Sequence, residues 1–363
     1  MTPFRKGKVI EIVKEQDLLI RTVVQMPDGQ YEAVAFPRMI GRIRAGDTVV
    51  VNMTGIDLKL GTGGIGFILW NMDGRGPETT PQGHIMKLRY TPWQRPVVAV
   101  EAPESPHHLR LENERSIDGM AVVACGLHSQ VAGVVGGIKA AHPDARVGYL
   151  MTDGGGLPIA WSRLVGDLRS AGLLDTTCTS GHAFGGDLEC VNAFSGLVAL
   201  RIVAKCDVVV VAMGPGVVGT GTALGFTAIE QGQILDATTA LGGSAVAAVR
   251  LSFRDERERH RGVSHHSLTA LSTAARERAT VVVPDLDGRD HAALVLAQLR
   301  DTGVAGKHDL VSASGEDGIA LLRGKGLNPT TMGRPMTDAP ELFLAAAAAG
   351  AVAVDPSRGT PIS

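Results

Sequence analysis

The chain has 363 residues, a formal net charge of −2, 44% hydrophobic residues and 20% charged residues. That length supports two domains with separate cores, and a near-neutral charge excludes a general polyanion binder. No run of about 20 uncharged apolar residues occurs, which excludes a membrane-spanning helix, and the N-terminal MTPFRKGKVIEIV lacks the apolar stretch of a secretory signal.

The first 95 residues carry 13 Lys and Arg against 9 Asp and Glu, a mild basic excess too small to predict nucleic acid by itself. Five short β-rich segments follow one another here: GKVIEIV, LLIRTVVQ, YEAVAF, TVVVNM and GFILW. Turn signals such as Pro27-Asp28-Gly29 and Ala45-Gly46-Asp47 separate them, so residues 1–80 are expected to form a small antiparallel β-barrel. Asn71 to Gln82 is rich in Gly, Pro and polar residues and reads as a linker or long loop, and residues 81–95 form a connector.

From residue 96 to 363 strands and helices alternate, the pattern of a mainly parallel, Rossmann-like three-layer α/β domain. The expected strands are Val97 to Ala102, Met120 to Cys125, Arg146 to Met151, Asp207 to Ala212, Ala245 to Leu251 and Thr280 to Val283. Helices are expected over Val131 to Ala141, Pro158 to Leu173, Leu188 to Ala204, Leu224 to Leu241, Ser267 to Arg278 and Ala292 to Leu299. Phe343 to Val354 reads as a terminal helix and strand.

Parallel sheets present ligands at the carboxyl ends of their strands, so four glycine-rich loops are expected to converge: CGLHSQVAG, TDGGGLP, TSGHAFGGDLE and AMGPGVVGTGT. The last follows the β-branched run of Val208 to Val211. Its Gly214, Gly216 and Gly219 match G-x-G-x-x-G, but the acidic residue expected about 20 positions on is missing, and Pro215 removes one N–H. A nicotinamide cofactor is therefore unsupported, and no particular cofactor is implied. Two readings remain: a tight packing turn, or an anion site on the N–H groups from Gly216 to Thr222, with Gly214, Gly216, Gly219, Thr220, Gly221 and Thr222 as binding residues.

His182, between glycines in its loop, is the acid/base candidate, with Asp153, His128 and the pair His265 and His266 as polar neighbours. Asp187 is placed to cap a helix beginning at Leu188. Ser264 caps a helix whose first turn holds His265 and His266, where the positive helix end favours neutral imidazole. Adjacent helical residues point about 100° apart, which argues against their sharing one ion, and His260 meets His266 only through folding. Glu230 reads most simply as mid-helix and solvent-facing. Cys178 and Ser129 are weak nucleophile candidates, since neither sits in a nucleophile elbow. His107 and His108 read as a surface connector. The four cysteines, Cys125, Cys178, Cys190 and Cys206, lack C-x-x-C spacing and read as reduced thiols, which points to a cytoplasmic address.

At TSGHAFGGDLE, MGPGVVGTGTALGF, ALGG, RHRGVSHH and LKLGTGGIGF (Leu58 to Phe67) the chain resembles an uncharacterised bacterial family known only as a domain of unknown function. The resemblance spans nearly the whole chain and implies a bacterial, cytoplasmic protein, with no activity, cofactor or catalytic residue attached.

The leading expectation is an enzyme acting on a small anionic or phosphorylated metabolite. The alternative is a metabolite-sensing protein whose barrel contacts a protein or nucleic-acid partner, although Phe4, Tyr31, Phe36 and Phe67 make a sparse stacking surface. A third reading is a structural subunit of a homo-oligomer, suggested by the Ala- and Val-rich helices.

Overall fold

A computed structural model of the chain describes residues 2–60, 63–74, 76–77, 82–286 and 288–362. Gly61 and Thr62 of the LKLGTGGIGF motif lie outside the described residues, as do residues 75 and 78–81 of the expected linker. The chain divides into two compact units, one of Met1–Gln82 with Leu88–Pro96 and one of Gly83–Lys87 with Val97–Ser363.

The first unit is a closed barrel. Its strands are β1 (Phe4–Glu15), β2 (Ile20–Met26), β3 (Gly29–Ala35), β4 (Thr48–Asn52) and β5 (Gly66–Asn71), in the order β1-β2-β3-β5-β4. Inward residues such as Ile20, Val24, Val49, Val51 and Ile68 fill it. The barrel is not wholly antiparallel: β3 and β5 pair in parallel, Ala33 with Gly66 and Val34 with Phe67. Five strands cannot alternate direction around a closed ring, so one joint must be parallel.

The second unit is built on a nine-stranded sheet. In chain order its strands are β6 (Ala121–Cys125), β7 (Val147–Thr152), β8 (Thr176–Thr179), β9 (Leu188–Glu189), β10 (Val208–Met213), β11 (Ser244–Ala248), β12 (Thr280–Pro284), β13 (Asp309–Ala313) and β14 (Thr360–Pro361). They lie in the order β9-β8-β7-β10-β6-β11-β12-β13-β14, and all pairs are parallel except β13 with β14. The helices are α1 (Gln130–Ala141), α2 (Arg163–Ser170), α3 (Ala193–Ile202), α4 (Glu230–Ala240), α5 (His265–Thr269), α6 (Arg289–Asp301), α7 (Glu316–Gly324) and α8 (Pro340–Val354).

Both faces of the sheet are covered. Val208, Val210 and Ala212 of β10 enter the core shared with α1, α2 and α8, whereas Val209 and Val211 enter the core shared with α3 and α4. This period-2 division explains why an unbroken β-branched run suits a central strand: each face needs apolar side chains. Helices α1 and α8 cross with backbones close together, so a methyl on Gly137 would overlap the carbonyl oxygen of Ala347 and one on Gly350 that of Val134.

Several expected elements differ, among them the helix expected over Leu224 to Leu241, which begins at Glu230, and that expected over Ser267 to Arg278, which runs from His265 to Ala274. Val97 to Ala102 is no sheet strand: only Arg95–Val97 is extended, after which Ala102 N–H bonds Ala99 O at 3.0 Å. Prolines at 96, 103 and 106 withhold the N–H groups that a ladder needs, yet Ala99, Val100 and Ala102 remain buried. The helix expected from Leu188 begins at Ala193, capped by Asn192, while Leu188 and Glu189 form edge strand β9. Asp187 therefore caps nothing; its carboxylate binds Arg169 Nη1 at 2.7 Å and Thr177 N–H at 2.9 Å. The terminal run ending at Val354 is helical throughout, as its alanines favour.

Candidate functional site

The carboxyl ends of β7, β10, β6 and β11 form the middle of one sheet edge. Helices α2 and α1, which follow β7 and β6, pack into one core, and α4, which follows β10, packs into the other. Neighbouring strands thus send the chain to opposite faces, which opens crevices at their carboxyl ends.

The loop after β6 carries His128. Its Nε2 lies 2.6 Å from Ser162 Oγ, and its Nδ1 lies 3.0 Å from Tyr149 Oη and 3.2 Å from the Met213 carbonyl. Tyr149 donates to the Ala212 carbonyl at 3.1 Å, so the consistent assignment puts the imidazole proton on Nδ1 and has Ser162 donate to Nε2. Burial lowers the His128 pKa to about 4, keeping it neutral. Ser162 also accepts from Val165 N–H at 3.1 Å and so caps α2.

Glu230 departs from expectation. It is the first residue of α4, not mid-helix, and Thr152 Oγ1 donates to its Oε1 at 2.6 Å. Burial, reinforced by the neighbouring Asp153 carboxylate, raises its pKa to about 7 against the pull of the Thr152 bond. Asp153 in turn accepts the backbone N–H of His182 at 2.9 Å. Gly181 has φ +63°, a conformation that favours glycine, and a side chain there would push the Asp153 carboxylate from its place. Asp153 thereby fixes the backbone of His182 beside it.

The loop after β10 is two structures in succession. Gly214 packs against the 153–156 loop: a methyl on it would overlap Gly156 O, and Gly156 N–H donates to Pro215 O at 2.7 Å. From Gly216 to Gly225 the loop is exposed apart from the half-buried Val217, and it folds back on itself. Thr220 N–H bonds Gly225 O at 2.9 Å, and Thr220 Oγ1 lies 2.9 Å from Thr222 Oγ1. Val218 N–H is taken by Thr227 Oγ1 at 3.0 Å. The expected cradle of N–H groups from Gly216 to Thr222 is thus partly spent within the protein. Gly219 faces His266, and Gly221, at φ +79°, faces the Arg259 guanidinium.

His260, His265 and His266 come together, contrary to the argument from helical spacing. Their ring centroids are 4.4 to 5.0 Å apart. The local fold explains it: Leu251–Ser252 pairs with Gly262–Val263, turning the 253–261 loop back so that His260 Nδ1 meets Ser264 Oγ at 2.7 Å. Gln298 of α6 clamps this turn, donating to Arg261 O at 2.9 Å and accepting from Val263 N–H at 2.8 Å. His266 stacks on Phe226 with centroids 4.1 Å apart. Burial lowers the pKa of His260 and of His266 to about 3, and lowers that of His265.

Residues 32–350 match the family described as "Protein of unknown function (DUF3866)". The chain belongs to this family. No curated protein matches it.

In this DUF3866 member several polar groups escaped sequence reasoning. Tyr149 and Ser162, the partners of His128, lie in an apolar strand and after a turn, with no spacing to tie them to it. Lys87 is wholly buried, and its Nζ donates to the carbonyls of Ala183 at 2.9 Å and Cys190 at 3.0 Å, with Glu189 Oε2 at 3.4 Å. For Glu230 the legible signal was its place shortly after the glycine loop; its neighbour Gln231 is buried, and its amide donates to the Ala124 and Ala248 carbonyls. Of the weak nucleophile candidates, Cys178 is buried with its Sγ 3.3 Å from Cys190 Sγ, and Ser129 Oγ donates to Thr331 Oγ1 at 3.0 Å. No helix among the described residues is long and apolar enough to cross a membrane.

Proposed function

We propose that the chain is an enzyme acting on a small anionic or phosphorylated metabolite at the carboxyl edge of its Rossmann-like α/β unit. One observation carries this reading: Glu230 opens α4 at this edge, half-buried, with its Oε1 held by Thr152 Oγ1 at 2.6 Å, and burial there raises its pKa to about 7, which suits a group that both takes and returns a proton near neutrality. The protonated carboxyl is favoured by burial and by Asp153, and Thr152 fixes one of its oxygens. Glu230 is the acid/base residue. Asp153 holds the turn that carries His182, and His128 with Ser162 supplies a neutral, hydrogen-bonded neighbour. At the other end of the glycine loop, Arg259 beside Gly221 attracts the substrate's anionic group.

A thermal-shift screen of phosphorylated and carboxylated metabolites on the full chain tests this. A hit that raises the melting temperature, and raises it less for Arg259→Ala, is expected. Glu230→Gln is then expected to bind the hit but lose turnover by about 10²-fold or more. Unchanged turnover in Glu230→Gln, or no response to any anionic compound, overturns the proposal. His182→Ala in the same assay separates a proton-transfer role of that imidazole from the positioning of its backbone.

A further inference from the structure

The three histidines bear on a question separate from the role of Glu230. Among the described residues, His260, His265 and His266 form a group of three metal-ligating side chains whose ligand atoms all lie within 4.8 Å of one another. His260 and His266 are buried and His265 is half-buried. A surface cluster of this kind carries little information, but here the rings are held by the fold. Ser264 Oγ sits 2.7 Å from His260 Nδ1 and accepts the His266 backbone N–H at 3.2 Å, so one hydroxyl fixes two members. With Nδ1 of His260 occupied in this way, Nε2 is the atom it offers to the cluster. His265 Nε2 is buried with no hydrogen-bond partner, which is costly for an imidazole nitrogen unless something is bound there. Phe226 stacks on His266 and meets the edge of His265, forming an apolar wall.

We infer that His260, His265 and His266 form a binding site for one divalent transition-metal ion of the zinc type. Three neutral imidazoles are the donor set that such ions take in preference to magnesium or calcium, which favour oxygen. A three-histidine set leaves one tetrahedral position open. Nitrogens on one ion stand about 3.3 Å apart, given bonds of roughly 2.0–2.1 Å, so small ring rotations close the present spacing. Ser264 then acts as the outer partner that fixes the His260 tautomer.

The charges around the cluster define what shares the ion. Arg250 Nη1 lies 3.5 Å from His266 Nδ1, at the outer limit of a hydrogen bond, and brings positive charge to the edge of the cluster. Asp255 lies 3.7 Å from Arg250 and 2.9 Å from Arg257, offsetting part of the positive charge. The remaining excess, with Arg259 near Gly221, requires an anionic occupant in the open position: hydroxide, or the carboxylate or phosphate of a bound ligand.

The full chain, stripped with a chelator and titrated with Co²⁺ and Zn²⁺, tests the inference. One Co²⁺ per chain, with the strong visible absorption of a four-coordinate ion, lost on adding Zn²⁺, is expected. His260→Ala, His265→Ala and His266→Ala are each expected to abolish those bands or weaken binding at least about 100-fold, and Ser264→Ala to weaken it about 10- to 100-fold. His142→Ala is expected to bind as the unaltered chain does. Absence of the bands in the unaltered protein overturns the site whatever the variants do, since that measurement does not depend on their folding. Full binding by a folded His265→Ala protein overturns it equally. Neither outcome touches Glu230, whose test is turnover.

Discussion

Thr152 Oγ1 donates a 2.6 Å hydrogen bond to Glu230 Oε1, joining the last residue of β7 to the first residue of α4. The bond holds a carboxyl group where burial and the Asp153 carboxylate favour its protonated form. That burial, with the nearby Asp153 carboxylate, outweighs the bond's own downward pull and raises the pKa toward neutrality, which has a consequence for stability.

The folded-state pKa of Glu230 is about 7, above its ordinary value of 4.5. The folded protein therefore binds the proton more tightly than the unfolded chain does. That contribution is fully present below about pH 4.5 and is lost as pH rises through 7, amounting at most to about 3 kcal/mol. Glu230→Gln keeps the shape and removes the charge. Urea titrations at pH 5 and pH 8 should show the variant gaining on the unaltered protein by about 1–3 kcal/mol at the higher pH. Parallel pH profiles would refute the shifted carboxyl.

His128 behaves in the opposite sense. Its pKa is lowered from 6.5 to about 4, so the folded protein holds it neutral while the unfolded chain takes up the proton. The stability it supplies is present above about pH 6.5 and is lost as pH falls toward 4. His128→Gln should flatten that part of the acid limb. Ser162→Ala, which removes both the cap on α2 and the donor to His128, should cost about 1–2 kcal/mol at pH 7. A cost below about 0.3 kcal/mol would mean that neither bond matters.

Lys87 anchors the segment around β9. Its ammonium spans the Ala183 and Cys190 carbonyls and Glu189, while Glu189 also accepts Thr179 Oγ1 at 2.7 Å and Gly185 N–H at 2.6 Å. Lys87→Met leaves a half-buried carboxylate and two carbonyls without their buried cation, and should destabilise the fold by about 2–4 kcal/mol. Hydrogen exchange should rise in residues 180–190 before it rises elsewhere in the sheet. Uniform exchange, or a loss under about 1 kcal/mol, would remove Lys87 from that role.

Two glycine substitutions in helices should have opposite signs. Gly137→Ala sets a methyl against the Ala347 backbone, which no rotamer change relieves, so it should cost about 1–3 kcal/mol despite the better helix former. Gly166, within α2, faces open space and is exposed, so Gly166→Ala should stabilise by about 0.5–1 kcal/mol. Melting temperatures of the two variants that move in the same direction would disprove the packing argument for α1 and α8.

Periodicity made much of the fold readable. The runs of β2, β4 and β10 carry their burial in their own side chains, and alanine commits α8 to helix locally. Strand β8 was invisible because TTCT is short and polar; it is buried only because Asp187 and Glu189, arriving from the next turn, accept from Thr177 and Thr179. The parallel joint of the barrel follows from closure, which no single segment encodes.

The sequence alone determined that glycine-rich loops follow buried strands, that His128, Asp153 and His182 sit in those loops, and that His265 and His266 lie in the first turn of a helix capped by Ser264. Local propensity and strand polarity are properties of neighbouring residues, so neighbours suffice to read them. Only the tertiary structure decided which side chains meet. Glu230 became an acid with a pKa near neutrality because the fold removes its water and sets the Asp153 carboxylate near it, while Thr152, 78 positions away in sequence, fixes one of its oxygens. His260 joined the histidine pair because a two-stranded turn, clamped by Gln298, reverses the chain. Such meetings depend on desolvation and long-range closure, which act on spatial neighbours and leave no periodic trace along the chain.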